Sequence, residues 1–142
     1  MPDLRPDGAA PGPGIVSAAA LHLSTGVFYA ITGLVAMRVL FGRVAAPGAV
    51  TQARLRWLGW VVLVGLILHA VALYAATFAP AHLNLSFGNA ASLIAWLTLV
   101  IYWLATCFDP RLAPLQFLMM PVCALAALLP LAAPAANTLA YS

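Results

Sequence analysis

An all-α bundle of four membrane-spanning helices, built as part of a larger bundle, is the fold class that this sequence predicts. Three observations carry the expectation. Of 142 residues, 65% are hydrophobic and 6% charged, against about 25% charged in a soluble domain. That leaves too little charge to coat a surface facing water. The apolar residues gather into four runs, 15–41, 57–78, 89–108 and 112–133, each close to the ~20 residues that cross a bilayer as helix. Finally, four of the six arginines fall between Arg38 and Arg56, a clustering that sets membrane orientation rather than a nucleic-acid surface.

Residues 1–14 read as a disordered tail and 15–142 as one transmembrane helical domain. The tail holds Asp3, Asp7 and four prolines and lacks the basic start of a signal peptide. In the first span, Gly26, Ala30, Gly33 and Met37 recur along one stripe, with His22 one turn before Gly26. Small residues at that spacing let membrane helices approach closely. A loop from Gly42 to Arg56 follows, broken by Pro47 and Gly48. Its arginines place it in the cytoplasm and the N-terminus outside.

The second span opens on Trp57 and Trp60, as indoles favour the headgroup region. His69 lies about twelve residues further, ~18 Å along the helix. Gly65, Ala72 and Ala76 share its face, which is expected to turn inward and to leave room for a flat group or a close helix. The outer loop, Ala79 to Gly88, carries His82, Asn84 and Ser86. Asn84-Leu85-Ser86 has the form of a glycosylation acceptor, but the loop is short and close to the membrane. Asn89 and Ser92 then share a face with Trp96 and Trp103, and Asn89 could cap the third helix.

Asp109-Pro110-Arg111 makes a turn so short that spans three and four must be antiparallel neighbours. Pro121 frees the carbonyl of Phe117 and predicts a kink, and Pro130 and Pro134 end the span. The segment Ala135 to Ser142 resembles the approach to another span, which suggests a truncated chain. Cys107 and Cys123 fit no zinc or redox spacing and read as small core residues.

Two stretches resemble a known family: His69-Ala70-Val71-Ala72-Leu73, and Asn84 through Gly88-Asn89-Ala90-Ala91-Ser92 to Trp96. With the Asp-Pro-Arg turn, Leu115-Gln116 and Leu128-Leu129-Pro130, they are similar to the N-terminal half of bacterial inner-membrane cytochrome c assembly proteins. The branch is the YpjD type, related to the haem-handling CcsA, CcmC and HemX proteins. The resemblance runs from about Leu21 to Pro130. It implies a multi-pass protein of the bacterial inner membrane, in contact with the lipid bilayer and other cytochrome c assembly proteins, with haem as cofactor. The haem-handling branch also carries a Trp-rich, Asp-containing external loop flanked by histidines. This chain has no counterpart: its tryptophans are Trp57, Trp60, Trp96 and Trp103, and its only aspartate beyond the tail is Asp109.

His69 is therefore the leading cofactor-binding candidate, a neutral imidazole that could ligate haem iron. Its alternative role is a packed histidine hydrogen-bonded to Ser24 or Ser92. His22 is the second candidate, with a headgroup-facing position as its alternative. His82 reads as an exposed loop residue. Asn89 and Ser92 are expected to be polar helix-interface residues, and Trp96 and Trp103 packing residues rather than a cofactor platform. The sequence offers no nucleophile–base pair, paired carboxylates or phosphate loop, so an enzyme has no residues to stand on. The remaining alternative is a structural or accessory membrane subunit without a cofactor.

Overall fold

The computed structural model describes residues 13–42, 49–79, 82–83, 86–132 and 139–140. Residues 1–12, Arg43, Pro47, Gly48, Asn84, Pro134 and most of the C-terminal segment lie outside them, as do the glycosylation asparagine and the approach to a fifth span; of the expected tail 1–14, Pro13 and Gly14 are helical and belong to α1. The fold is an all-α four-helix bundle: α1 (Pro13–Gly42), α2 (Ala49–Thr77), α3 (Phe87–Phe108) and α4 (Gln116–Ala132), with a 3₁₀ helix (Pro110–Leu115) before α4. Short antiparallel pairings join β1 (Phe78–Ala79), β2 (His82–Leu83) and β3 (Leu139–Ala140) in that order. They put the α2–α3 connection and residues 139–140 at one end of the bundle. Asp109 and the arginine-bearing start of α2 stand at the other.

Each helix contains a segment long and apolar enough to cross a membrane: Ala18–Gly42, Arg56–Thr77, Phe87–Phe108 and, including the 3₁₀ turn, Pro110–Ala132. The surface agrees. Leu23, Val27, Ile31 and Leu34 of α1, Ile94 and Ile101 of α3, and Val122 and Leu125 of α4 are exposed, while His22, Thr25, Thr32, His69, Asn89, Ser92 and Gln116 are buried. Apolar outside and polar inside is the arrangement hydrocarbon favours and water does not. Hydroxyls that face outward are satisfied on their own helix: Ser24 donates to Leu21 O at 2.9 Å and Thr98 to Ile94 O at 2.8 Å, as polar groups in lipid must be.

The helix ends follow local chemistry. Ser86 is the N-cap of α3, accepting from the Asn89 backbone N–H at 3.3 Å. The expected cap at Asn89 is corrected to Ser86: Ser86 has the extended backbone a cap requires, whereas Asn89 is already helical and buried. Pro110 disfavours helical geometry at the preceding residue, and Asp109 is extended accordingly. Its Oδ1 then accepts from Arg111 N at 2.9 Å and caps the 3₁₀ turn. Tyr102 Oη reaches Leu112 O and Ala113 O, both at 3.2 Å, and ties that turn to α3.

Three expectations about the elements need revision. α2 starts at Ala49, not near Trp57, because helix is compatible with Thr51 to Arg56 once Pro47-Gly48 is passed, and arginine is a good helix former. The buried stripe on α1 is His22, Thr25, Gly26, Tyr29, Thr32, Gly33 and Ala36, while Ala30 and Met37 are exposed. The polar and aromatic residues, rather than the small ones alone, choose the face. Gly26 and Gly33 do mark close approach to α4. A Cβ at Gly26 would lie 2.8 Å from Leu128 Cδ2, and one at Gly33 would lie 3.0 Å from Met120 Cβ. Pro121 and Pro130 both fall inside α4, which continues to Ala132, so Pro130 does not end the span.

Candidate functional site

The polar interior is built by α1, α2 and α3 around His69, with α4 closing it. His69, on the buried face with Gly65, Leu66 and Ala72, has no exposed surface. Its Nε2 lies 2.9 Å from Ser92 Oγ, so the packed-histidine geometry with Ser92 is the one present. Ser24 is exposed and bonded to its own helix instead. The Tyr29 ring meets the His69 ring edge-on, with centroids 5.6 Å apart.

His22 is equally interior, at 1% exposure. The expected headgroup-facing position is therefore corrected, because the His22 ring turns toward α4 and not toward the surface. Its Nδ1 lies 3.0 Å from Ala127 O. A carbonyl can only accept, so Nδ1 carries the proton and a neutral ring leaves Nε2 as a bare lone pair. Three buried atoms here have no hydrogen-bond partner: His22 Nε2, His69 Nδ1 and Tyr29 Oη. Such groups are rare in folded proteins, and each calls for a physical reason.

The second polar feature is a seam between α2 and α3. Trp96 Nε1 donates to Leu66 O at 2.9 Å, and Trp103 Nε1 donates to Gly59 O at 3.0 Å. A helix carbonyl has a second lone pair for such a bond. In hydrocarbon an indole N–H without a partner is costly, so these tryptophans lock the helices together, as expected of packing residues. Gln116, buried at the start of α4, adds a contact to Leu58 O at 3.5 Å.

The sequence expectation brought His69 and Ser92 to one interior, and they meet. Asn89 is buried one turn away at the same interface. Reading the sequence missed Tyr29 and Gln116. Tyr29 stands seven residues after His22, two turns on the same face, and that spacing was its available signal. For His82 the structure describes only the backbone pairing in β2.

A haem does not fit this interior as packed. The face of His69 expected to leave room is filled: a Cβ at Gly65 would lie 2.6 Å from Tyr29 Cε1 and 2.9 Å from Phe28 Cε1. The nitrogen nearest α3 is engaged by Ser92. Two cavities of about 390 and 340 Å³ lie elsewhere between α2 and α3, and neither is lined by His22 or His69. Among the described residues no three His, Cys, Asp or Glu side chains cluster as metal ligands. No protein-family model, curated protein or solved structure matches the chain.

Proposed function

We propose that this chain is an integral inner-membrane protein of the cytochrome c assembly type. The observation that carries the reading is the His69–Ser92 bond. It joins the two stretches on which the sequence resemblance rests, and Trp96 of the second stretch bonds back to Leu66 beside the first. Residues quoted for one likeness thus form one connected interior. His22 adds support. Its Nδ1–H is committed to a carbonyl and its Nε2 is bare, the state in which histidines ligate metals. Other cytochrome c assembly proteins are the partners this reading implies.

A second reading is an accessory membrane subunit without a cofactor, with His69 as a packing residue. The filled space at Gly65 favours it. The absorption spectrum of the chain purified from haem-replete membranes separates the two. The first reading requires the packed interior to open before haem can reach His69, and expects a Soret band that His69→Ala abolishes and that Trp57→Phe, on the exposed surface, leaves in place. A chain that never carries haem, or whose band survives His69→Ala, sinks the ligand role and leaves the accessory reading.

The orientation follows from charge. Arg38, Arg54, Arg56 and Arg111 stand at the end opposite β1 and β2, which the positive-inside rule assigns to the cytoplasm. The N-terminus is then outside. In a background of Cys107→Ser and Cys123→Ala, an Ala49→Cys chain in intact cells is expected to resist an impermeant thiol reagent and to react after permeabilisation. Reaction without permeabilisation reverses the orientation.

A further inference from the structure

We propose that the cleft between α2, α3 and the start of α4 at the arginine-bearing end binds one anionic phospholipid, its phosphate against the Arg56 guanidinium and its acyl chain along the cleft wall. The proposal is independent of the family reading.

The cleft is built into the packing. It has a volume of about 390 Å³, and Arg56, Trp60, Val62, Trp103, Thr106 and Gln116 are among its lining residues. Gly59 also lines it, and a Cβ there would meet nothing within 4 Å. The missing side chain therefore contributes to the opening, while the Gly59 carbonyl holds Trp103. Polar groups along the wall are already engaged. Trp103 Nε1 donates to Gly59 O, Thr106 Oγ1 donates to Trp103 O at 2.7 Å, and Gln116 Nε2 is directed to Leu58 O. The wall thus presents rings, aliphatic carbon and the Cys107 thiol, with one cationic group at its mouth.

Among the described residues that group has no counter-charge. The chain contains three acidic residues, Asp3, Asp7 and Asp109. Among the described residues only Asp109 is available, and its carboxylate caps the Arg111 N–H. Arg38, Arg54 and Arg111 add positive charge at the same end, and all are exposed. An anion is the complement.

Depth decides what kind of anion. Arg56 is the first residue of the apolar segment Arg56–Thr77, and Thr106 lies near the close of Phe87–Phe108. The cleft mouth is therefore at headgroup level and its wall runs into the hydrocarbon. Trp60, 67% exposed, stands beside the mouth, at the depth indoles prefer. The occupant must carry charge at one end and an apolar body beyond it. Basic pockets between membrane helices bind acidic lipid headgroups in this way. A free phosphate would satisfy the arginine but leave the apolar wall uncovered.

Native mass spectrometry of the full chain in dodecyl maltoside tests this, with palmitoyl-oleoyl phosphatidylglycerol, the matching phosphatidylcholine, and inorganic phosphate as probes. Phosphatidylglycerol is expected to be retained in preference to phosphatidylcholine and not to be displaced by excess inorganic phosphate. Arg56→Gln should weaken its binding about fivefold, Arg56→Lys should keep most of it, and Arg38→Gln, on α1 away from the cleft, should leave it unchanged. Equal retention of the two lipids, displacement by inorganic phosphate, or an equal loss in Arg38→Gln would overturn the proposal.

Discussion

Gly65→Leu is expected to lower the stability of the bundle by at least ~3 kcal/mol, measured by denaturant titration in mild detergent. Even the first added carbon would sit 2.6 Å from Tyr29 Cε1 and 2.9 Å from Phe28 Cε1. Phe28 is half-buried and can swing aside. Tyr29 is 0% exposed and sits against His69, so it has nowhere to move without separating α1 from α2. Gly59 supplies the control on the same helix. Its Cβ position is open, so Gly59→Ala should be neutral or stabilise by up to ~1 kcal/mol, the usual cost of glycine within a helix. Gly65→Ala should destabilise. Two identical chemical changes six residues apart should therefore have opposite signs. If both raise stability, the α1–α2 contact described here is wrong.

His69→Ala is expected to cost about 2–4 kcal/mol while the chain still inserts into the membrane. Most of the loss comes from the cavity left beside Tyr29, and a smaller part from the Ser92 hydroxyl losing its partner. A cycle combining His69→Ala and Ser92→Ala isolates the bond. Interhelical hydrogen bonds in membranes average about 0.6 kcal/mol, so a coupling of that order is expected. Zero coupling would show that the two side chains do not meet in solution. A His69→Ala chain as stable as the parent would remove the imidazole from the packed interior altogether.

The spans were legible because hydrocarbon imposes a length and a composition that few other contexts share, and the four apolar runs carry both. The start of α2 was not. The break at Pro47-Gly48 ends before Ala49, and the polar stretch from Thr51 to Arg56 is helical although it lies outside the apolar run. Apolar length marks where a helix can enter hydrocarbon, not where the helix begins. On α1 the stripe through Gly26, Ala30, Gly33 and Met37 is not the buried one, since Ala30 and Met37 are exposed. The spacing of His22, Thr25, Tyr29 and Thr32 gave the true face, since a membrane bundle turns polar groups inward. His69 and Ser92 were recognised because each breaks an apolar run. Their environment was not readable, because Tyr29 reaches Gly65 from another helix and no local pattern records which helix that will be. The cleft at Arg56 was hidden for the same reason: its walls come from α2, α3 and the start of α4, and no local pattern records how three segments pack.

The tryptophan seam limits how the lengths of these helices can vary. Trp96 and Trp103 are seven residues apart on α3, and their acceptors Leu66 and Gly59 are seven apart on α2. The two bonds therefore sit in phase along antiparallel helices. Adding or deleting one residue between Gly59 and Leu66 would rotate one acceptor by roughly 100° and shift it ~1.5 Å relative to the other. One indole would then be stranded in hydrocarbon. Only a change of whole heptads, or a matched change on both helices, restores the coincidence. Sequence drift in this part of the bundle can thus replace side chains freely on the outer face while the residue count between the two bonds stays fixed.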